Sequence, residues 1–166
     1  MRPRSGSARM RVRPVRAWLP TVAGATLLLA ILSACETPPP VTPPTGFAVY
    51  DETEVVRAVS PEGVRFRVHY EDHEPEQSLE FWQEALRRHL DRSGYGLLSE
   101  AKFSAVAGDG VLFEWVAPVG AEDWVYLTAV VPAGDRLIVA EAAGPAELYS
   151  ERREAIREGL ESIGSE

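Results

Sequence analysis

The chain has 166 residues, with 17 basic and 25 acidic side chains, a formal net charge of −8 and a single cysteine. The acidic balance argues against nucleic-acid binding, because an acidic surface repels the phosphate backbone. One cysteine excludes a disulfide framework, so the folded part must be stabilised by a hydrophobic core. The length fits one domain of ordinary size.

The N-terminal part of the chain has the three-part order of a secretory signal. Residues 1–16 carry six arginines and no acid, residues 17–34 carry no charge, and two small residues precede Cys35. A cationic start, a short apolar run and small residues at the cleavage point are typical of a signal peptide. An uncleaved membrane anchor is the alternative. A spanning helix, however, needs about 20 mostly apolar residues, and this run is diluted by proline, glycine, threonine and serine.

Residues 32–35, Leu-Ser-Ala-Cys, resemble the lipobox of bacterial lipoproteins. The resemblance covers about residues 1–36, and it implies cleavage after Ala34 and a diacylglyceryl thioether on Cys35. Lipoproteins carry at least two acyl chains, and two chains give stable anchoring where one does not. The resemblance therefore implies an extracytoplasmic protein anchored to a membrane through Cys35. In Gram-negative lipoproteins an aspartate after the cysteine is the familiar signal for retention in the inner membrane, and this chain has Glu36 there instead. If the source is Gram-negative, the resemblance implies delivery to the periplasmic side of the outer membrane, with the inner membrane as the alternative.

The predicted mature chain, residues 35–166, is strongly acidic and begins with a proline-rich segment. Eleven basic and 25 acidic residues remain in it, which gives a formal net charge of −14. This charge favours solubility and provides no polybasic patch for lipid head groups. Residues 37–46 contain five prolines in ten positions. We therefore expect residues 37–46 to form a disordered, extended tether roughly 30 Å long, which together with Cys35 and Glu36 makes up a linker at residues 35–46.

Residues 54–59 and 64–70 predict the two strands of a β-hairpin. A Ser-Pro-Glu-Gly turn separates them, since proline fixes φ and Gly63 tolerates a positive φ. The second strand alternates strictly, with two arginines and His69 on one face and apolar side chains on the other. Such alternation is typical of a strand with one buried face.

Residues 75–94 predict an amphipathic helix. Pro75 suits the first turn, where its missing N–H is not needed. An apolar stripe follows at helical spacing, at Leu79, Trp82, Leu86 and Leu90. Gly94 favours the end of the helix.

Four further strands and a closing helix are predicted downstream. The strands cover residues 101–107, 111–117, 124–131 and 136–142. The pair Asp109-Gly110 favours a hairpin turn between the first two strands, and residues 118–123 predict a loop. The closing helix covers residues 144–163, with apolar side chains close to one face at Leu148, Ile156, Leu160 and Ile163.

The order of these elements predicts an α+β fold with an antiparallel sheet of about six strands and two main helices, in a single domain at residues 47–164. It resembles the PsbP-like α/β/α sandwich, whose members include PsbP subunits of photosystem II, a Ran-binding import factor and bacterial lipoproteins of unknown function. The resemblance rests on element order and on two sequence patterns. These are Asp109-Gly110 before Phe113-Glu114-Trp115, and the closing series Tyr149, Ile156, Leu160 and Ile163. It carries no functional residues, and a cystatin-like or other two-layer α+β fold is the alternative.

Two histidines lie close to acidic residues in the sequence. His69 and His73 are interleaved with acids at residues 71, 72 and 74, and imidazole and carboxylate groups suit zinc or other divalent ions. The pair His-x₃-His converges on a helix, but here it runs from a strand into a loop. We therefore expect no metal or other cofactor. A small-ligand or metal-binding site in this region is kept as the alternative function.

Glu114 and Glu141 both lie within apolar strands. On one sheet face they could act as an acid–base pair if burial raised the pKa of one of them. The preferred interpretation is two solvent-facing residues on a sheet whose other face is packed. The sequence contains no hydrolase nucleophile motif and no glycine-rich phosphate loop. We therefore predict no catalytic residue and no enzyme activity.

Several aromatic residues are candidates for a contact surface. Most are expected in the core, whereas Phe81 and Trp124 are less clearly directed inward. Exposed aromatic side chains are favoured as anchors of protein interfaces. We therefore expect a non-enzymatic protein-binding or envelope-complex accessory module, with Phe81 and Trp124 as candidate contacts and an envelope protein as the partner.

Overall fold

A computed structural model describes residues 37–119 and 122–165 of the chain. The predicted signal segment, the lipobox and Cys35 lie outside these described residues. Within them, no helix has the length and apolar character that crossing a membrane requires.

Seven strands and two helices make up the described part of the chain. In chain order they are β1 (Ala48–Glu52), β2 (Val55–Val59), β3 (Arg65–Asp72), α1 (Leu79–Arg92), β4 (Gly96–Ala105), β5 (Gly108–Val119), β6 (Glu122–Ala133), β7 (Arg136–Pro145) and α2 (Ala146–Glu161). All strands join one sheet in the order β1-β2-β3-β7-β6-β5-β4, and every neighbouring pair is antiparallel. The α+β prediction is confirmed.

The sheet has one strand more than the sequence predicted. The additional strand is β1, which pairs with β2 at the edge of the sheet and contains a register shift. Four of its five residues are exposed, so it lacks the alternation of apolar and polar side chains that reveals a half-buried strand. The expected loop at residues 118–123 is also shorter, since β5 runs to Val119 and β6 begins at Glu122.

The turn between β4 and β5 lies at residues 106–107, and the prediction of a turn at Asp109-Gly110 is wrong. Gly108 has a positive φ of 142° beside this turn. Gly110 lies within β5, where an added Cβ would meet Phe103 Cε1 at 2.7 Å. The N–H groups of residues 106 and 107 donate to backbone carbonyls at the end of α2. Contacts with α2 therefore decide the position of the turn, and Gly110 serves close packing.

The proline-rich segment packs against α2 and is not the free tether that the sequence predicted. The Pro40 carbonyl accepts a hydrogen bond of 2.7 Å from the Gly164 N–H. The Thr42 N–H donates to Ser162 Oγ at 2.9 Å, and Pro44 is buried. An extended proline-rich chain has unpaired backbone groups, which the end of a helix can bind. Residues 39–46 are therefore part of the folded domain.

Each face of the sheet carries one helix. On one face, α2 packs its buried side chains, among them Tyr149, Ile156 and Leu160, onto the larger core. On the other face, α1 packs onto β5 and β6 in a smaller core. The buried members of that smaller core are Leu90, Val111, Phe113 and Trp115, with Leu79 and Leu86 packed against them. On this face α1 lies over β5 and β6, and the sheet continues to one side of the helix with β7, β3, β2 and β1.

Candidate functional site

A row of charged residues crosses the sheet on the face that carries α1. The antiparallel register places Arg57 opposite Asp51 on one side and opposite Arg67 on the other. Arg67 in turn lies opposite Glu141. Directly opposite residues share a face and have Cβ atoms about 4.5–5.5 Å apart. The order across β1, β2, β3 and β7 is therefore acid, arginine, arginine, acid.

The two outer acids each form an ion pair with the neighbouring arginine. Arg57 Nη1 pairs with Asp51 Oδ2, and Arg67 Nη1 lies 3.2 Å from Glu141 Oε2. Hydrogen bonds from the backbone and side chain of Thr53, together with Arg57, hold the pKa of Asp51 below its ordinary value. Each arginine is therefore paired with the acid on the strand farther from the other arginine. The two arginines themselves are direct neighbours on β2 and β3, with no acidic side chain between them.

A third arginine, Arg65, lies two residues before Arg67 on the same face of β3. It is exposed and has no side-chain hydrogen bond or ion pair with another described residue. Arg67 Nε is buried and has no hydrogen-bond partner within the part of the chain that the structure describes. Both arginines of β3 therefore have donors that the domain itself does not use.

These three arginines border a shallow groove of about 260 Å³. We call it the arginine groove, and the side chains that define it are Tyr50, Arg57, Arg65, Arg67, Tyr126 and Glu141. The Tyr126 hydroxyl donates to Glu141 Oε1 at 2.5 Å. Burial, and next the hydrogen bond to Glu141, raise the pKa of Tyr126 above its ordinary value. Tyr126 therefore stays a neutral donor at physiological pH and fixes the position of the Glu141 carboxylate.

The side chains of the arginine groove suit the binding of an anionic group. Arginine presents a planar fork of N–H donors that matches a carboxylate in two parallel hydrogen bonds. Three arginines and the two carboxylates beside them, Asp51 and Glu141, leave a formal net charge of +1. Tyrosine and arginine are also the residue types enriched at protein interfaces. The groove is therefore a candidate binding surface.

The two aromatic residues proposed from the sequence lie far apart. Trp124 is half-buried and lies on the same sheet face as Tyr126, two residues earlier in β6. Phe81 is 50% exposed in the first turn of α1. Its neighbour Leu79 borders a cavity with Pro132, at the opposite end of β6 from Trp124. Only Trp124 lies next to the arginine groove, so the two residues do not form one contact patch.

His69 and His73 make separate contacts. His69 Nε2 lies 3.1 Å from Glu71 Oε1. The ring of His73 is buried between two backbone segments, with Nδ1 3.0 Å from the Gly134 carbonyl and Nε2 accepting from the Gln77 N–H at 3.0 Å. Within residues 37–119 and 122–165, no three histidine, cysteine or acidic side chains are grouped so that they could hold a metal ion. No observation favours the alternative metal function.

Glu114 and Glu141 lie on opposite faces of the sheet, so they cannot act as a pair. Glu114 is 4% exposed, and the expectation that it faces solvent is wrong. Its carboxylate accepts hydrogen bonds from Ser99 Oγ at 2.9 Å, Tyr149 OH at 3.0 Å and Arg153 Nε at 3.1 Å. A carboxylate can be buried at low cost only with such partners. Glu114 therefore links β4, β5 and α2.

Comparisons with known proteins relate the chain to others by fold. No protein-family model matches the sequence, and no curated protein matches it. The structure of PA94, a protein of unknown function from Pseudomonas aeruginosa, is similar with a TM-score of 0.51 and 8% identity, over 70% of this chain and 95% of that chain. The Ran-binding protein Mog1p of Saccharomyces cerevisiae gives a TM-score of 0.49 and 17% identity, over 72% of this chain and 84% of that chain. The likeness to PA94 shows a shared fold alone.

Sequence reasoning missed the arginine groove. The alternation in β3 places Arg65 and Arg67 on the polar face of a strand, and nothing in this local pattern predicts a binding surface. Their partners are Arg57 on β2 and Glu141 on β7, a strand that begins more than 60 residues later in the chain. The available signal was the concentration of arginines in an acidic domain, which becomes informative only once the strand order is known.

Proposed function

We propose that the protein is a membrane-anchored, extracytoplasmic lipoprotein whose non-enzymatic domain binds a protein partner of the cell envelope. The observation that carries the proposal is the arginine groove with Trp124 beside it. Arginine, tyrosine and tryptophan dominate the binding energy of protein interfaces. We also assign the domain to the PsbP-like sandwiches, which is supported by its antiparallel sheet with one helix on each face.

The packing of the proline-rich segment supports a position close to the bilayer. Pro40, whose carbonyl accepts a hydrogen bond from the Gly164 N–H shortly after α2, follows Cys35 by five residues, which span at most about 18 Å when fully extended. A lipid on Cys35 therefore keeps the domain near the membrane surface. The segment lies on the α2 face of the sheet, whereas the arginine groove lies on the α1 face. In an anchored domain, the arginine groove is therefore on the opposite face of the sheet from the segment that connects the domain to Cys35.

Site-specific photocrosslinking in living cells tests the partner. A photoreactive residue at Tyr50, which is 60% exposed in the groove, or at Trp124 should capture the same discrete envelope protein. The matched control is a photoreactive residue at Glu158, which is exposed on α2, and it should not capture this protein. Recovery of the same abundant envelope proteins from all three positions would refute partner binding at the groove.

The anchor is tested separately by the variant Cys35→Ser. A lipoprotein needs the thiol for lipid attachment, so the variant should lose acyl-chain labelling and remain unprocessed in size on a gel. The wild-type chain should incorporate a labelled fatty acid and partition with the membrane fraction. Equal labelling of both chains would refute lipidation at Cys35.

A further inference from the structure

The order of charges in the arginine groove favours the binding of an anion. Arg57 and Arg67 are directly opposite on neighbouring strands, and like charges in this position destabilise a sheet. Both side chains remain accessible, with exposures of 38% and 43%. Arg65 adds a third positive charge that no described acid pairs with. An anion placed among the three guanidinium groups would offset their mutual repulsion.

The formal charge of the arginine groove indicates which class of anion it can bind. Three arginines with Asp51 and Glu141 leave a net charge of +1, which complements one carboxylate. A phosphate dianion would meet the Glu141 carboxylate at short range, and like charges in a site are unfavourable. The predicted mature chain has a net charge of −14, so it would also repel a strongly acidic segment at long range. A single carboxylate fits both conditions.

The shape of the groove indicates that this carboxylate belongs to a larger molecule. Pockets for small ligands enclose most of the ligand and have volumes of about 300–1,000 Å³. The arginine groove is shallow, at about 260 Å³, and its floor is a sheet whose backbone donors are already paired between strands. Only side-chain donors are available, and a small acid would stay largely exposed. A side chain from a docked protein could gain further contacts along β6 towards Trp124.

We propose that the arginine groove binds one aspartate or glutamate side chain presented by the protein partner. Arg65 supplies the free donors, Arg67 and Arg57 add the positive charge of their partly exposed guanidinium groups, and Tyr50 and Tyr126 border the aliphatic part of the bound side chain. This inference rests on the proposed function, because it names the chemical group by which that partner is recognised.

A pair of synthetic peptides tests the inference on the full chain in detergent. One is an acetylated and amidated pentapeptide with a single central glutamate, and the other carries glutamine at that position. Arginine Nε–Hε signals are followed by nuclear magnetic resonance at constant ionic strength. The glutamate peptide should shift the Arg65 and Arg67 signals in a saturable manner. The glutamine peptide should bind at least about tenfold more weakly, since a hydrogen bond to a charged group contributes about 1.5–3 kcal/mol.

Three variants and two small anions make the test decisive. Arg65→Gln should reduce binding of the glutamate peptide without unfolding the domain, because Arg65 has no ion pair to lose with a described residue. Arg67→Gln should reduce it as well. Arg88→Gln, on the exposed side of α1, should leave it unchanged. Equal binding of the two peptides, or tighter binding of glutarate or inorganic phosphate than of the glutamate peptide, would overturn the proposal.

The peptide and crosslinking results separate the two proposals. If the two peptides bind equally while crosslinks from Tyr50 and Trp124 remain specific, the carboxylate inference fails and partner binding stands. If the glutamate peptide binds selectively while all crosslinks are nonspecific, the groove recognises carboxylates but the proposed protein-binding function fails. Loss of the specific crosslink in Arg65→Gln supports both.

Discussion

The buried carboxylate of Glu114 permits a quantitative test of how α2 is held on the sheet. The Tyr149 hydroxyl, on a residue that is 0% exposed, donates to Glu114 Oε1 at 3.0 Å. A hydrogen bond to a charged group stabilises a fold by about 1.5–3 kcal/mol. In the variant Tyr149→Phe, Ser99 and Arg153 still bind the carboxylate. We therefore expect a loss in the lower part of that range, about 1.5–2 kcal/mol.

Removal of the carboxylate itself has a larger effect. Glu114→Ala leaves the buried Tyr149 hydroxyl without a partner and opens a cavity between α2 and β5. Breaking a buried ion pair by removing one partner costs about 3–5 kcal/mol. The Arg153 side chain is 44% exposed, so water can solvate its charge in the variant. We therefore expect a loss near the lower limit, about 3 kcal/mol.

Urea unfolding of the full chain, followed by circular dichroism, measures both losses. Tyr50→Phe is the matched control, because Tyr50 is 60% exposed and its change should stay within about 0.5 kcal/mol. A double-mutant cycle of Tyr149→Phe with Glu114→Ala, which removes the acceptor, should show a coupling of about 0.5–2 kcal/mol. Strict additivity, or equal losses from Tyr149→Phe and Tyr50→Phe, would show that this hydrogen bond does not hold α2 in place.

Three further predictions concern stability at other positions. Burial, and next the charge of an adjacent arginine, lower the pKa of His69 below its ordinary value of 6.5. The unfolded chain therefore binds more protons than the folded chain on acidification, so the free energy of unfolding should fall as the pH is lowered. Urea midpoints measured against pH should show a smaller fall for His69→Gln than for the wild-type chain. A hydrogen bond from Arg152 lowers the pKa of Glu62 from 4.5 to about 2. The interaction therefore contributes fully to folding stability above pH 4.5, and this contribution is lost as the pH falls towards 2. Acid titrations of folding stability should lack this loss in both Glu62→Gln and Arg152→Gln. Gly110→Ala places a Cβ 2.8 Å from a backbone oxygen of β6, whereas a Cβ at Gly96 has its nearest atom 4.0 Å away. Urea unfolding should therefore show that Gly110→Ala lowers the free energy of unfolding by about 1–3 kcal/mol and that Gly96→Ala changes it much less.

The sequence predicted those parts of the fold whose signals are local. The strict alternation over β3 and the helical stripe on α1 depend only on which side chains one element buries, and both elements are present. The edge strand β1 was missed because an exposed strand has no buried face to reveal it. The turn prediction at Asp109-Gly110 is wrong because turn propensity is weak compared with the hydrogen bonds that residues 106 and 107 make to the carbonyls of Glu161, the last residue of α2, and Ile163, just after it.

The candidate site depended on long-range register, which no local pattern contains. Alternation assigned Arg67 to the polar face of β3, but the two neighbours of β3 are separated from each other by most of the domain, one being β2 and the other β7. The same limit affected Glu114 and Glu141. Their sequence contexts are similar, yet one is buried under α2 and the other lies at the edge of the open groove.

The order of charges in the groove is difficult to explain by stability alone. A network that served only the fold would alternate its charges, since opposite charges on neighbouring strands stabilise a sheet and like charges destabilise it. Here the acids Asp51 and Glu141 occupy the two ends, and the like-charged Arg57 and Arg67 face each other in the middle. Departures from locally favourable choices are expected at functional sites. The repulsion between the two central arginines is therefore the feature of this domain that best supports the proposed binding of an anion.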